Sequence, residues 1–478
     1  MVSESENINK SRLRFNLTLT IVSEVLNKII PFIIIYVGQR ALGVEGFGVA
    51  NFSIYMVDAA LPFIAFGYST LGILKIGKLT DPQQIGKMIG QVSFVRLVHA
   101  LMVIVALNVI MSVYPGYAEY RVLVNVLGFT LFTAALESVY VLSGTQRLDV
   151  YIIFSIIFKV ISLICILTFV ETPDDLLLYV LFSYGFNGLI GLATFLYAKS
   201  KYHISLPNRA DAIHLFKKAL PFGVCSILLM VSDRLELFVI EIMTDPLSLG
   251  YYTGVLRVQQ SILPLIAAIG SIFFSEMVSS DSRKSLTTHA RLTVTAIYFV
   301  LFPVAVGIWF TSDQIIELLL GQSYHGVSTV LSMLVSGMLF HTLIITFGYQ
   351  VLLIKGRIKL INIVLLAIIP LQLLLSIFLV KNYSLLGGAT SVIIAKVFIG
   401  GVLSWLSFKY IDRFKLNDLV SILVAGVVMF LALSVLPRFE LVLEVLVGGV
   451  CYLSVIALLN RELVVKLLER FTRVFSQR

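Results

Sequence analysis

Ionisable side chains lie deep inside long apolar runs: the bases Lys28, Arg96, Lys159, Arg234, Arg257 and Lys396, and the acids Glu24, Asp58, Glu137, Asp233, Glu236 and Glu241. Guanidinium and ammonium groups in dry surroundings grip phosphates and carboxylates through charge-assisted hydrogen bonds. Carboxylates in the same surroundings bind cations or exchange protons. Each charge costs about 2.5 to 3.5 kcal/mol near the centre of a lipid-facing helix, so these groups must pair or face a wet cavity. Several fall on polar stripes at helical spacing, which predicts inward-looking faces: Thr20, Glu24, Lys28 and Pro31; Thr133, Glu137, Tyr140 and Gly144; Ser155, Lys159 and Ser162. Glu24 and Lys28, four apart, can neutralise each other within one helix. Asp233 and Arg234 are adjacent and point in different directions. Arg96 and Arg257 stand near enough to their predicted helix starts to reach the headgroups, whereas Lys159 and Lys396 sit near mid-span and are assigned to the cavity.

The elements that must position these residues follow from composition. Of 478 residues, 58% are hydrophobic and only 13% charged, and the mean hydropathy is +0.97. A soluble enzyme spends about 25% of its residues on charge, so the chain is expected to be an all-α polytopic membrane protein. Crossing a hydrocarbon layer roughly 30 Å thick takes about 20 apolar residues. The runs that satisfy this predict about fourteen transmembrane helices, near residues 14–38, 46–73, 89–112, 121–143, 150–170, 176–197, 219–243, 250–274, 291–311, 326–350, 360–381, 386–408, 418–436 and 441–460. The connectors are too short for a soluble catalytic or nucleotide-hydrolysing domain, which excludes an enzyme with such a domain.

Lysine and arginine on alternate connectors set the orientation. With a cytoplasmic N-terminus, only Arg40, Arg121, Lys381 and Arg438 fall on outer connectors, and the others outside the helices all fall on inner ones. The positive-inside rule then places both termini in the cytoplasm. The net charge of +9 becomes a lining opposite anionic lipid, and nucleic acid is excluded as a partner. The first apolar run is full length and lacks a small-residue cleavage site, so it is expected to be an uncleaved span.

Other patterns carry less. Cys165, Cys225 and Cys451 lie in apolar runs, the six histidines show no ligand spacing, and no metal site is expected. His99 and His341 are read as hydrogen-bonded core residues. Gly72 to Lys78 has the spacing of a phosphate-binding loop, but Leu79 stands where Ser or Thr is required and a membrane helix precedes it. Gly86 with Gly90, and Gly250 with Gly254, are small-xxx-small pairs that let helices pack closely. Pro31, Pro62, Pro264, Pro303 and Pro370 are expected to kink their helices.

The chain also repeats. Ala41-Leu42-Gly43-Val44-Glu45-Gly46-Phe47-Gly48 has a counterpart in Asp245-Pro246-Leu247-Ser248-Leu249-Gly250-Tyr251-Tyr252, each placing a glycine and then an aromatic at a helix start. Asn51, Tyr55, Asp58 and Pro62 share their spacing with Thr253, Arg257, Gln260 and Pro264. Two six-helix lobes built as parallel repeats are predicted, residues 14–197 and 219–408, joined by a basic cytoplasmic linker at 198–218. A cytoplasmic N-terminus at 1–13, two further helices at 418–460 and a basic tail at 461–478 complete the organisation.

At Leu42 to Gly48 the sequence resembles the pattern that opens the polysaccharide-exporter, or O-antigen (Wzx-type), branch of the multidrug/oligosaccharidyl-lipid/polysaccharide flippase superfamily. Asp233-Arg234, followed by Gly250-Tyr251, is similar to the corresponding second-half pattern, and the likeness covers about residues 10–412. The resemblance implies a flippase in the bacterial inner membrane that carries an undecaprenyl-diphosphate-linked oligosaccharide, an O-antigen, capsule or exopolysaccharide repeat unit, to the outer leaflet. On that reading a basic, water-filled cleft between the lobes holds the diphosphate and acidic sugars through Lys28, Arg96, Lys159, Arg234, Arg257 and Lys396. Glu24, Asp58, Glu137, Asp233 and Glu236 serve ion or proton coupling or charge pairing. No cofactor is expected beyond a coupling H+ or Na+, and a polysaccharide polymerase or ligase shares the membrane. The alternative within the superfamily is an ion-coupled multidrug or metabolite antiporter.

Overall fold

In the computed structural model, residues 2–467 are described apart from 77, 78, 80, 118, 119, 146, 264, 265, 267, 268, 271, 272, 275, 276, 278–281, 413–416 and 436–439. The side chains of residues 2–25, 27, 28, 70, 74, 115 and 148 are also outside the description. The regular structure among the described residues is helical, with no strand. In chain order they form α1 (Val2–Ala65), α2 (Tyr68–Ile76), α3 (Pro82–Val113), α4 (Arg121–Leu136), α5 (Val139–Gly144), α6 (Leu148–Phe169), α7 (Leu176–Val180), a π-helical segment (Leu181–Gly185), α8 (Phe186–Lys201), α9 (Arg209–Met243) and α10 (Pro246–Gln260). There follow α11 (Arg283–Leu320), α12 (Ser328–Leu343) with a π-helical continuation (Ile344–Leu352), α13 (Ile358–Ser407), α14 (Asn417–Val435) and α15 (Leu441–Leu459).

Ten helices among the described residues are long and apolar enough to cross a membrane, and the chain is a multi-pass membrane protein. Two of them, Ile29–Ala65 with 37 residues and Ile358–Ser407 with 50, each overlap two of the spans predicted from sequence. Each contains one left-handed residue where the sequence predicts a connector: Gly43 (φ 69°) within α1 and Ser384 (φ 50°) within α13. At Gly43 a side chain would meet no atom within 4 Å, so the backbone conformation, not space, favours glycine. Helix α9 is not among the ten. It carries Asp233, Arg234, Glu236 and Glu241 and so fails on composition where its 35 residues would suffice by length.

The chain divides into two compact units, Met1–Arg234 and Leu235–Arg478, with the boundary inside α9. In the N-terminal unit, Asp81 caps α3 by accepting from the Gln83 amide at 2.9 Å, with Pro82 opening the first turn. A core of Phe66, Tyr68, Ile76, Ile85, Met88, Ile89, Val92, Tyr140, Leu215 and Ala219 joins α2, α3, α5 and the start of α9. The connector between α8 and α9 lies along α3, with Tyr202 and Ile204 packed against that core. Gly86 and Gly90 make room for it. A methyl at Gly86 would overlap the His203 carbonyl oxygen, and one at Gly90 the Ser205 carbonyl oxygen. The expectation that this pair seats a neighbouring helix is therefore corrected: it seats extended backbone, whose carbonyls approach closer than any side chain permits. Lys87, between the two glycines, pairs with Asp211 at 2.9 Å.

In the C-terminal unit, Asp245 caps α10 by accepting from the Ser248 amide at 2.8 Å, again before a proline. Helices α14 and α15 dock on α11. A methyl at Gly426 would overlap the Phe302 ring, and the Tyr452 hydroxyl donates to the Phe299 carbonyl at 3.0 Å. One end of this hairpin is fastened by Arg291, which donates to Asp418 at 2.6 Å, while Asn460 donates to the other Asp418 oxygen at 3.0 Å. Nearby, Arg283 pairs with Asp412 at 2.8 Å and donates to the Ile411 carbonyl at 2.8 Å.

Gly90→Ala is expected to displace the 202–208 segment and lower the thermal midpoint of the detergent-solubilised protein, at a cost of about 1 to 3 kcal/mol. Gly449→Ala, whose methyl meets nothing within 4 Å, should not destabilise it. Equal melting of the two variants would refute the seating of the connector. The Lys87 ammonium holds the Asp211 carboxyl below the usual carboxylate range. A depressed native pKa contributes stability that is present above the unfolded value, about 3.9, and is lost as pH falls through the native one. Protection of the amides of residues 203–212, taken relative to the intrinsic exchange rate at each pH, should therefore fall in acid in the wild type, and much less in Lys87→Gln.

Candidate functional site

The site is built around a broken helix. Helix α4 stops at Leu136, and Glu137 (φ −47°, ψ 124°) turns the chain before α5 begins at Val139. The polar stripe Thr133, Glu137, Tyr140 and Gly144, expected on one continuous helix, thus spans two. The physical reason is that polar groups of other elements satisfy the break. Arg96 of α3 donates to the Glu137 carbonyl at 2.9 Å and to Ser69 Oγ of α2 at 2.6 Å. The Ser138 amide donates to Thr194 Oγ1 of α8 at 3.3 Å. A positive guanidinium at the carbonyl end of α4 also complements the helix dipole.

Arg96 is 1% exposed, and its guanidinium carbon lies 5.7 Å from the Tyr140 ring centre. Its Nε has no hydrogen-bond partner. The sequence reading in which Arg96 reaches the headgroups is corrected, because α3 begins at Pro82 and so places Arg96 about 21 Å along the helix. Arg96 and Glu137 line one cavity of about 280 Å³, together with Thr130, Tyr184 and Asn187 and the apolar walls Leu61, Ile64, Ala65 and Ala134. The Tyr184 hydroxyl donates to Asp58 of α1. Tyr184 stands in the π-helical segment Leu181–Gly185, and such one-turn widenings recur at functional sites.

Three of the charged residues singled out from the sequence are thus brought together: Arg96 and Glu137 in the cavity wall, and Asp58 through Tyr184. Arg234 lies elsewhere in the same unit, its guanidinium 4.6 Å from the ring centre of the buried Tyr55. Asp233 is half-buried beside it. Lys159 is half-buried on α6 between the buried Ser155 and Ser162; Ser162 donates to the Phe182 carbonyl at 2.7 Å. In the C-terminal unit Glu236 is 1% exposed and accepts from the Tyr252 hydroxyl at 3.5 Å. Glu241, Arg257 and Lys396 are half-buried there. The side chains of Glu24 and Lys28, and Pro264, lie outside the described residues.

His99 is the hydrogen-bonded core residue expected of it, with Nδ1 2.9 Å from the Phe63 carbonyl. Ser69, Tyr184 and Thr194 were missed by sequence reasoning. Tyr184 and Asn187, three apart in an otherwise apolar stretch, offered a signal; Ser69 and Thr194 offered none.

Residues 13–277 match the sequence family described as polysaccharide biosynthesis protein. The chain belongs to that family. It is similar to a putative O-antigen transporter of Shigella dysenteriae, with 20% identity over 323 residues, 65% of this chain and 79% of the relative. Its fold is similar to that of the lipid II flippase MurJ in an inward closed conformation, with a TM-score of 0.74 and 15% identity over 93% of this chain and 99% of that one. An inward-facing multidrug resistance transporter of the MATE family, in the MOP superfamily, aligns with a TM-score of 0.61 and 14% identity over 80% of this chain and 93% of its own. The family member thus has the fold of the multidrug/oligosaccharidyl-lipid/polysaccharide superfamily, and the resemblance read from Leu42 to Gly48 holds.

Arg96→Leu strands the Glu137 carbonyl and should destabilise the family member by about 1 to 3 kcal/mol. Arg96→Lys keeps the charge but loses the fork that serves two acceptors, and should fall between. Thermal melting of the purified variants checks the order, and a leucine variant as stable as wild type would remove Arg96 from the support of the break.

Proposed function

We propose that this protein is a flippase that turns an undecaprenyl-diphosphate-linked oligosaccharide from the inner to the outer leaflet of a bacterial cytoplasmic membrane. The observation that carries the reading is the family match over residues 13–277, and likeness to an O-antigen transporter and to the lipid II flippase fold supports it. The chain is then a transporter and not an enzyme, crossing the membrane fourteen times with both ends in the cytoplasm. Two six-helix repeats and the α14–α15 hairpin make up the crossings.

The headgroup carries two phosphates and the sugars, and the basic residues suit it. Lys28, Arg234, Lys159, Arg257 and Lys396 supply charge-assisted donors to the diphosphate or to acidic sugars, while the prenyl tail stays in lipid. Arg96, spent on Glu137 and Ser69, holds the cavity wall. Exposing the site alternately to the two faces moves the headgroup across. Asp58 and Glu137 are the groups we assign to coupling with H+ or Na+. A polymerase or ligase that consumes the glycan on the far side gives net export its direction.

A second reading, an ion-coupled antiporter for cationic compounds, is favoured by the presence of Glu137 in the cavity and by the MATE-like fold. The leaflet distribution of diphosphate-linked glycan in cells lacking the protein decides between them. The flippase reading expects glycan trapped on the cytoplasmic side and released when the protein is restored. Arg234→Ala and Lys28→Ala, with insertion verified, should abolish the release. An unchanged distribution with altered tolerance to cationic compounds would move the assignment to the antiporter.

A further inference from the structure

The cavity of the N-terminal unit is balanced in charge. Among the described residues that line it, the charged ones are Arg96 and Glu137, whose formal charges cancel. The bonds that hold its wall run from Arg96 to the Glu137 carbonyl and to Ser69, from the Ser138 amide to Thr194, and from Thr130 and Thr133 to carbonyls of their own helix. None of these bonds uses the Glu137 carboxylate or the Asn187 amide, although both residues line the space. Arg96 has N–H groups beyond those it gives to Glu137 and Ser69.

The rest of the lining is largely apolar. Leu61 and Ile64 stand on α1, and Tyr184 adds a ring whose hydroxyl is already given to Asp58. The two helices that carry Glu137 and Asn187 are closely seated: a methyl on Gly188 would meet Thr133 Oγ1 at 2.7 Å, and one on Gly191 the Thr133 carbonyl oxygen at 2.7 Å. A volume of about 280 Å³ stands just below the roughly 300 to 1,000 Å³ of pockets for drug-sized ligands, which leaves room for one ring and not for an oligosaccharide. A diphosphate set here would face the Glu137 carboxylate, and a cation would face Arg96; either like-charge contact is costly away from water. A molecule whose hydroxyls both donate and accept suits both at once, donating to Glu137 and accepting from Arg96 and the Asn187 amide. Its C–H faces lie on Leu61, Ile64 and the Tyr184 ring. That is the chemistry of an uncharged sugar.

We infer that the cavity bounded by Arg96 and Glu137 is a subsite for one uncharged sugar ring of the glycan headgroup, with Glu137 as its acceptor and Arg96 and Asn187 as its donors. The inference rests on the flippase reading for the source of the ring. It divides the headgroup: the uncharged ring enters this cavity, and the diphosphate is left to bases outside it. The ring and the coupling ion occupy Glu137 in turn.

The full chain is placed in phosphatidylcholine nanodiscs, and binding of methyl glycosides is followed by saturation-transfer NMR. The uncharged probes are the glucoside, galactoside, rhamnoside and N-acetylglucosaminide; the glucuronide is the acidic one and the glucosaminide the cationic one. Wild type should bind at least one uncharged glycoside saturably, and more tightly than either charged one. Glu137→Gln, which leaves Arg96 uncompensated, should weaken the uncharged ring about tenfold and reverse the order in favour of the glucuronide. Ala134→Phe fills the space without altering a charge and should abolish binding. Lys284→Gln, an exposed lysine of the other unit, should match wild type, and thermal melting verifies that each variant is folded. A wild type that binds no uncharged glycoside saturably overturns the subsite, as does binding that survives Ala134→Phe or keeps its order in Glu137→Gln. Preference for the cationic glycoside overturns it too and favours the antiporter. Binding of the uncharged ring that depends on Glu137, in a protein that moves no glycan lipid between leaflets, would instead remove the flippase reading and leave the subsite standing.

Discussion

A backbone carbonyl without a donor is tolerable in water and costly in hydrocarbon. The break between α4 and α5 exists because Arg96 crosses from α3 to the Glu137 carbonyl and holds Ser69 of α2 with its other amino group. Once the break is satisfied, Glu137 turns out of the helix line, and the wall of the 280 Å³ cavity includes a carboxylate and the guanidinium that permits it. A buried charge that would be a liability alone becomes the tie among three elements. The same logic explains Tyr184, which a π-helical widening of the chain brings to Asp58.

The membrane also accounts for what the helices look like. Most long helices are apolar enough to be recognised by composition, and α9 is the exception because its second half carries Asp233, Arg234, Glu236 and Glu241. Such a helix persists because its charges have partners: Arg234 stands over Tyr55, and Glu236 meets Tyr252. Outside the hydrocarbon the currency changes. The connector on α3, the Arg283–Asp412 contact and the Arg291–Asp418 contact use ion pairs near water, where each is modest but where several together set the register of the helix ends.

Much of the fold was legible because a hydrocarbon layer imposes a length and a polarity that any sequence must obey. Helices predicted near 150–170 and 441–460 appear as Leu148–Phe169 and Leu441–Leu459. The predicted connectors near residues 43 and 384 appear as single left-handed residues inside longer helices. The site was legible in part. Residue type alone marked Arg96, Glu137 and Asp58 as costly and therefore purposeful. Periodicity misplaced Glu137, because a stripe assumes an unbroken helix. It also misread Gly86 and Gly90, because spacing does not say whether a helix or a carbonyl-lined strap will arrive.

Composition and short-range order were enough to set the membrane class, the apolar segments that become helices and the superfamily. Which carbonyl Arg96 would satisfy, where α4 would stop and which segment would lie in the Gly86–Gly90 groove were settled by packing. Each of those outcomes is a contact between residues far apart in the chain, such as Arg96 with Glu137 or Gly90 with Ser205. No local pattern encodes the meeting of such partners, and the energy that selects it appears only when both are withdrawn from water together.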